Sequence, residues 1–361
     1  MPSKIRQSNL ELLRVFAMLL IVMHHFSVHG AGYALIYDLT FNSIWTQVLA
    51  LWGKLGVNLF VLITGFFCVK STVPRLSSLI FLWFTTLTYS VVCYFIALYC
   101  GRSFSFYDCI RVLLPFTFGQ YWFITCYVAL FILIPFINKL VWSLNQKQYV
   151  ILIITLGLLW SVIPTVSFGN RWYFSSLGWF VYLYLLAGYF RLYIVEKNVS
   201  VDLTLCWKAL LTSILVIVCW TLFCDYMFSQ GFKKWGIWNY FSKMNNLFIL
   251  LASVSIFIIF QQINITYSKY INKFASLMLG VYLIHDNNFV RPWLWRKFWN
   301  VKSHLQLPEF QFILWSIGVI LLTFIICSLI EFIRAKATAK MSTYFFNKYL
   351  NYLDTKIKTF F

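Results

Sequence analysis

The chain has 361 residues, of which 61% are hydrophobic, 21% aromatic and only 11% charged, and its formal net charge is +19. Soluble domains are about 45–50% apolar and about 25% charged, whereas apolar segments here continue from residue 10 to residue 332 without a polar domain between them. This composition excludes an ordinary soluble enzyme, a nucleic-acid-binding domain and a disordered chain. It predicts an all-α integral membrane protein that crosses the bilayer many times.

Ten segments approach the length of about 20 mostly apolar residues that crosses the hydrocarbon core. In chain order they cover residues 10–28, 46–69, 77–99, 112–137, 149–165, 174–194, 207–225, 245–263, 274–290 and 310–333. We therefore expect one transmembrane domain over residues 1–333. The basic tail 334–361 is expected to lie against anionic lipid as a short interfacial helix.

The loop charges predict the orientation of these helices. With the N-terminus inside and ten spans, the inner segments hold 17 Lys and Arg and the outer segments hold 10. Because cytoplasmic loops are enriched in Lys and Arg, both termini are expected in the cytoplasm. The loops 226–244 and 291–309 are basic although this arrangement places them outside.

The first predicted helix carries four ionisable residues, Glu11, Arg14, His24 and His25. Arg14 and His25 are eleven residues apart. At about 100° and about 1.5 Å per residue, both project from nearly the same face and stand about 16 Å apart along the axis. Glu11 precedes Arg14 by three residues and can pair with it, whereas His24 points about 100° away from His25.

Two interpretations of this helix remain open. Arg14 could reach the inner headgroups while the histidines mark the outer end. Alternatively, the face is an inward polar stripe, since ionisable groups inside a bilayer are expensive and usually functional. In that case Arg14 suits a phosphate-bearing ligand from the cytoplasm. The imidazole of His25 suits proton abstraction near neutral pH.

Polar residues in and after the second predicted helix could belong to the same site as the polar stripe of the first helix. Asn58 lies in mid-membrane, and Lys70 and Arg75 follow the cytoplasmic end of the same helix. They share a side of the membrane with Arg14 and would form one cationic mouth, although the positive-inside bias alone would also explain them. Pro135 is expected to kink or end the fourth helix.

Four further residues are candidates for substrate binding. Tyr121 and Trp122 open the fourth predicted helix and suit either this role or interfacial anchoring. His285 and Asp286 adjoin at the end of the ninth and suit a proton relay, a sugar-binding cluster or a helix end in water. None of the nine cysteines forms a CxxC pair or stands beside a histidine at metal-ligand spacing, so no metal site is predicted.

Several of these segments resemble the membrane acyltransferase family 3. Family members carry an Arg, ten residues and then a His in the first transmembrane helix, as Arg14 and His25 do here. The stretch FVLITGFF at 60–67 is similar to the family's second-helix motif, with Thr where Ser is usual. YWFITCYVALFILIPFIN at 121–138 and Val281–His285 resemble later family segments. The resemblance covers about residues 9–333.

The resemblance implies transfer of an acyl group, commonly acetyl, from a cytoplasmic coenzyme A thioester to a hydroxyl of a cell-surface or exopolysaccharide sugar. It makes His25 the essential base and Arg14 its partner, and we place Glu11 and His24 in the same catalytic set. A covalent acyl-histidine step is an alternative to direct transfer.

We assign the donor site to Arg14 with Lys70 or Arg75, which would hold the coenzyme A phosphates. Many family members have two arginines three residues apart after the second helix, whereas this sequence has Arg75 and then Ser78. Asn58, Tyr121, Trp122, His285 and Asp286 are assigned to the acceptor.

The expected partners are acyl-coenzyme A as donor substrate, a polysaccharide or lipid-linked sugar as acceptor, and membrane lipid, with no nucleic acid and no permanently bound cofactor. The expected location is the bacterial cytoplasmic membrane. One alternative is a transporter or flippase for lipid-linked sugars, which ten spans and intramembrane charges also suit. A polysaccharide polymerase is a weaker alternative, because the outer loops are modest in length.

Overall fold

The computed structural model describes residues 6–32, 35, 38–72, 76–167, 174–232 and 238–345, with side chains described to residue 339. All regular structure within these ranges is helical. The helices are α1 (Ser8–His25), α2 (Phe41–Ala50), α3 (Gly53–Cys68), α4 (Leu76–Tyr99), α5 (Phe106–Leu113), α6 (Trp122–Ser143), α7 (Gln146–Gly157), α8 (Ser176–Tyr189), α9 (Leu203–Ser229), α10 (Leu247–Gln262), α11 (Lys269–Ala275), α12 (Met278–His285) and α13 (Glu309–Phe345).

Wider helical turns lengthen three of these helices. They extend α1 to Ala31, α7 to Val166 and α8 to Val195, and short turns lie at Tyr240–Ser242 and within residues 290–304. Polar side chains cap several helix starts by accepting backbone N–H groups, as Asn145 does for α7 and Asp202 does for α9.

Eight helical segments of the described chain are long and apolar enough to cross a membrane. They are Ser8–Ala31, Phe41–Cys68, Leu76–Tyr99, Trp122–Ser143, Gln146–Val166, Ser176–Val195, Leu203–Ser229 and Glu309–Ala339. The prediction of an all-α polytopic membrane protein is confirmed. The predicted eighth span matches the shorter α10, and the predicted ninth is broken into α11 and α12. The count of ten and the orientation stay predictions.

The structure differs from two expectations about the fourth span, namely that 112–137 forms one helix and that Pro135 could end it. The segment 112–137 is not one helix, because α5 ends at Leu113 and α6 begins only at Trp122. A turn with Gly119 at φ +57 lies between them. Pro135 does not end α6, which continues to Ser143. Proline removes a single backbone hydrogen bond, and neighbouring helices in a membrane bundle make that loss tolerable.

The last helix continues past the expected boundary between the transmembrane domain and the basic tail. The proposed boundary after residue 333 falls inside α13, which continues without interruption to Phe345. The first part of the basic tail therefore extends the last transmembrane helix. Residues 346–361 lie outside the described residues.

The centre of the bundle is α3, which packs against α1, α8 and α10. Two glycines allow this close packing. A Cβ atom at Gly56 would lie 2.5 Å from the Ala17 carbonyl oxygen of α1, and one at Gly65 would lie 2.6 Å from the Tyr184 carbonyl oxygen of α8. Small residues at helix contacts are the usual means of close approach in membranes. This packing places the polar face of α1 beside α3.

Candidate active site

A cavity of about 360 Å³ runs along α1 and contains both residues of the spaced Arg–His pair. Arg6 and Arg14 border one end of it, and His24 and His25 border the other. Aromatic side chains from α3, α4, α6 and α12 form much of its wall, including Phe60, Phe81, Trp122, Phe123, Tyr127 and Tyr282. The structure therefore supports the inward polar stripe rather than snorkelling, because a shared cavity in the bundle connects the two groups.

The Arg14 end of this cavity adjoins a cationic mouth. A second cavity, of about 400 Å³, shares Arg6 and Arg14 with the first and is also lined by Lys70 and Arg191. The predicted association of Arg14 and Lys70 at one mouth is therefore present in the structure. Arg75 lies outside the described residues.

Carboxylates partly neutralise this mouth. Arg14 Nη1 lies 3.2 Å from Glu11, whose side chain is buried, so the predicted Glu11–Arg14 pair forms. Lys70 Nζ lies 2.8 Å from Glu196 Oε1, and Arg191 Nε lies 3.3 Å from the same oxygen. The mouth therefore brings four basic residues together against two acids, which leaves it with positive charge.

At the opposite end, a chain of hydrogen bonds determines the tautomer of His25. The Val281 carbonyl oxygen can only accept, so the His285 Nδ1 that contacts it carries the proton. His285 Nε2 is then an acceptor, and it lies 2.9 Å from His25 Nδ1. His25 Nδ1 therefore donates, and in the neutral ring Nε2 is left with a free lone pair. An unprotonated imidazole nitrogen bordering a cavity is the arrangement a general base requires.

Asp286 places a carboxylate next to this pair. Its Oδ1 lies 3.7 Å from His25 Nδ1, 3.7 Å from His29 Nε2 and 3.2 Å from Arg291 Nη1. The Asp286 carboxylate is thus in position to stabilise positive charge that develops on His25 when it takes up a proton.

Three donor atoms in this cluster could in principle hold a metal ion. The side-chain donors of His25, His29 and Asp286 all lie within 4.8 Å of one another. A cation there would compete with the Arg291 guanidinium for the same carboxylate oxygen. In the structure, Arg291 pairs with Asp286 and His285 hydrogen-bonds to His25, so the cluster is a hydrogen-bonded ionic group around His25.

His24 also borders the cavity, although helical geometry points it away from His25. Its Nδ1 contacts the Ala50 carbonyl oxygen, and its ring lies against Gly53, where any side chain would collide with it. The cavity includes His24 because α3 begins here with a residue that leaves space for the ring. Its Nδ1 faces a neutral carbonyl, so it lacks the acidic partner that His25 has.

Two of the predicted acceptor residues have structural hydrogen bonds and do not border the two cavities. Asn58 is fully buried and bonds to the Met244 carbonyl, the Ser253 hydroxyl and the Trp179 indole. Tyr121 is buried and donates to the Leu283 carbonyl oxygen at 3.0 Å. Their predicted role in acceptor binding stays a prediction.

The remaining predicted residues separate into two groups. His285 and Asp286 are buried behind His25 and do not border the cavity, whereas Trp122 forms part of its wall. The pairing of Tyr121 with Asn287, whose amide donates to the phenol oxygen at 2.6 Å, holds the end of α12 in place. Through this contact the start of α6 supports the position of His285.

Sequence reasoning missed several residues of the site. Lys54 borders the cavity, with its ammonium 4.4 Å from the centre of the Trp122 ring. The sequence could have indicated Lys54, because a lysine within an apolar segment is a candidate functional residue. His29 follows His25 by one helical turn, a spacing that also carries a signal. Arg191 and Arg291 come from parts of the chain distant from α1. No spacing in the sequence predicts that they lie near the site.

The fold and cavity define a polytopic membrane protein with a buried histidine cluster at one end of an internal cavity and a group of basic residues at the other. The chain belongs to the acyltransferase 3 family, because the family model of an acyltransferase domain matches residues 7–332. It is therefore a membrane acyltransferase. No curated protein and no solved structure matches the chain.

Proposed function

We propose that this membrane protein is an O-acetyltransferase that moves an acetyl group from cytoplasmic acetyl-coenzyme A to a hydroxyl of a cell-surface or exopolysaccharide sugar. The observation that carries the proposal is the single cavity that joins the cationic mouth at Arg14 to the free Nε2 of His25. The expected location is the bacterial cytoplasmic membrane, with the Arg14 end facing the cytoplasm.

The mouth supports the choice of donor. Coenzyme A carries several phosphate groups, and arginine guanidinium groups bind phosphate with charge-assisted hydrogen bonds. Arg14 and Lys70 would hold these phosphates, together with Arg6 and Arg191 from the same cavity. The long pantetheine arm would then extend along the aromatic wall of the first cavity.

The far end supports the chemistry of transfer. Arg14 and His25 stand about 16 Å apart along α1, at about 1.5 Å per residue. A donor held by its phosphates at Arg14 can therefore present its thioester near His25 by means of the extended pantetheine arm. The aromatic lining makes much of the space between them apolar, which would limit hydrolysis of the thioester by water.

The proposed reaction is a direct transfer. His25 Nε2 takes the proton of the sugar hydroxyl, and the hydroxyl oxygen forms a bond to the thioester carbonyl carbon while the C=O electron pair moves to its oxygen. When this intermediate collapses, the C–S bond breaks and the thiolate of coenzyme A takes the proton from His25. General-base assistance of this kind contributes about 10²–10⁴ in rate.

The test is transfer of radiolabelled acetyl from acetyl-coenzyme A to crude surface polysaccharide by the purified protein in nanodiscs. Wild type should label the polysaccharide, and His25→Ala should lose about 10²-fold or more of the rate. His304→Ala is the matched control, because His304 stacks on Trp315 and does not border either cavity.

Two results would contradict the proposal. Normal transfer by folded His25→Ala would place the base elsewhere, and loss in His24→Ala would then identify His24. If wild-type protein that is shown to be folded binds no acetyl-coenzyme A, the proposed donor is wrong.

A further inference from the structure

The cavity holds one cation that the proposed reaction has not used. Lys54 lies in the first turn of α3, and its ammonium lies 4.4 Å from the centre of the Trp122 ring. No carboxylate forms an ion pair with Lys54 in the described part of the chain, and no hydrogen bond to another described residue engages it. A half-buried ammonium with three donors facing a cavity is therefore free to bind an anionic oxygen of a ligand.

The position of Lys54 along the cavity is the second observation. The residue next to it, Gly53, lies directly against His24, and the rings of His24 and His25 are 5.6 Å apart. Lys54 therefore belongs to the His25 end of the cavity and is separate from the cationic mouth that would receive the phosphates.

The chemistry at this end requires such a group. When the hydroxyl attacks the thioester, negative charge develops on the carbonyl oxygen, and a positioned donor in a site that excludes water stabilises that charge strongly. His25 is occupied with the hydroxyl proton, and Arg14 is about 16 Å away along α1, at about 1.5 Å per residue. Lys54 is the cation of the cavity that remains for this oxygen.

We propose that Lys54 is a catalytic residue that donates a hydrogen bond from its ammonium to the thioester carbonyl oxygen as that oxygen becomes negatively charged. This inference rests on the proposed acetyl transfer. The Trp122 ring holds the ammonium in place through a cation–π contact, which leaves the N–H groups on its far side for the oxygen. Lys54 transfers no proton. When the C–S bond breaks, the electron pair on the oxygen re-forms the C=O double bond, and the negative charge on the oxygen is lost.

The first measurement is the rate of acetyl transfer in nanodiscs for Lys54→Met and Lys54→Arg. Removal of one oxyanion donor lowers kcat by about 10²–10³-fold, so Lys54→Met should show such a loss with an unchanged KM for acetyl-coenzyme A. Lys54→Arg should recover part of the rate. Lys269→Met is the matched control, because Lys269 lies over the Tyr270 ring on the exposed surface, outside both cavities.

The second measurement needs no turnover. The infrared stretching band of the ¹³C-labelled thioester carbonyl is recorded for acetyl-coenzyme A bound to His25→Ala protein. A donor at the oxygen lowers this frequency, so adding Lys54→Met should raise it, and adding Lys54→Arg instead should keep it low. A merely structural role for Lys54 would not move the band while binding is intact.

The outcomes distinguish failure of this inference from failure of the proposed function. Wild-type kcat in Lys54→Met, or an unchanged carbonyl band, would overturn the role of Lys54 and leave the acetyltransferase intact. A rise in KM for the polysaccharide alone would also overturn it and would assign Lys54 to the acceptor. Absence of acetyl transfer and of acetyl-coenzyme A binding in folded wild type would overturn the proposed function and this inference together.

Discussion

The two ends of the α1 cavity differ in how their charged groups are held. At the Arg14 end, the side chain of Arg14 is 32% exposed and that of Lys70 is 49% exposed. At the His25 end, His285 is fully buried and Asp286 is 5% exposed. The mouth is an open group of cations suited to a soluble, highly charged donor, whereas the hydrogen bonds that link His25, His285 and the Val281 carbonyl are buried in the bundle and have defined directions.

This difference in exposure determines whether each end of the cavity contributes mainly to donor affinity or to the rate of transfer. A partly exposed cation is adjustable and screened by salt, so it contributes to affinity by modest amounts. A buried hydrogen bond with a fixed donor and acceptor orients a reacting atom, and its loss leaves an unsatisfied group. Substitutions at the His25 end should therefore change the rate of transfer, and substitutions at the mouth should change the affinity for the donor.

The largest effect that tests this division is expected from His285→Phe. This change removes the acceptor for the His25 Nδ1 proton, so His25 no longer holds Nε2 unprotonated towards the cavity. We expect kcat for acetyl transfer to fall about 10²-fold, within the usual range for loss of proton-transfer assistance, with KM for acetyl-coenzyme A unchanged. The measurement is steady-state transfer of radiolabelled acetyl in nanodiscs.

His285→Gln is the matched variant for this experiment, because its amide oxygen can still accept from His25. It should lose less rate than His285→Phe. If folded His285→Phe transfers acetyl at the wild-type rate, the hydrogen-bond chain does not set the tautomer of His25. The claim that substitutions at the His25 end change the rate of transfer would then be wrong.

A smaller effect, on affinity, is expected from Arg14→Gln. A hydrogen bond to a charged group contributes about 1.5–3 kcal/mol, so binding of acetyl-coenzyme A should weaken about 10–100-fold. Acetyl-pantetheine lacks the nucleotide phosphates, and its binding should not change. Isothermal titration of both donors against His25→Ala protein measures the two affinities without turnover.

Arg14→Gln also leaves the buried Glu11 without its partner, which by itself destabilises a protein. The double variant Glu11→Gln/Arg14→Gln removes the unpaired carboxylate and serves as the control for folding. Equal weakening of acetyl-coenzyme A and acetyl-pantetheine in the double variant would mean that Arg14 does not recognise phosphate.

Local spacing predicted part of this architecture. Arg14 and His25 lie on one helix, and helical geometry alone put them on one face, as the shared cavity shows. The same geometry predicted the Glu11–Arg14 pair. Hydropathy located the long helices well, because the length and apolar composition of each helix can be read from its own segment of the sequence.

Contacts between distant segments could not be predicted in the same way. His25 and His285 are 260 positions apart, and only the packing of α12 beside α1 brings their rings together. Asn58 was assigned to the acceptor because it is polar in mid-membrane, yet its partners come from three other segments. A polar residue within a membrane can satisfy its hydrogen bonds inside the bundle as readily as at a site, and sequence does not distinguish these cases.

The smallest effect is expected from Lys70→Gln, and it decides how far the phosphate site extends towards solvent. Lys70 is half exposed and already paired with Glu196, and exposed ion pairs contribute only about 0.2–1 kcal/mol. We expect KM for acetyl-coenzyme A to rise about 2- to 3-fold at low salt, with kcat unchanged. The difference should vanish at high salt, where screening removes the contribution of an exposed charge.

Lys197→Gln is the control for Lys70→Gln, because Lys197 is an exposed lysine outside both cavities. A loss in Lys70→Gln as large as that in Arg14→Gln, and insensitive to salt, would show that the donor phosphates sit at the outer edge of the mouth. Arg14 would then lie beyond the phosphates, within reach of the pantetheine arm. That result would move the whole donor outwards and leave its thioester short of His25, so it would count against direct transfer by His25.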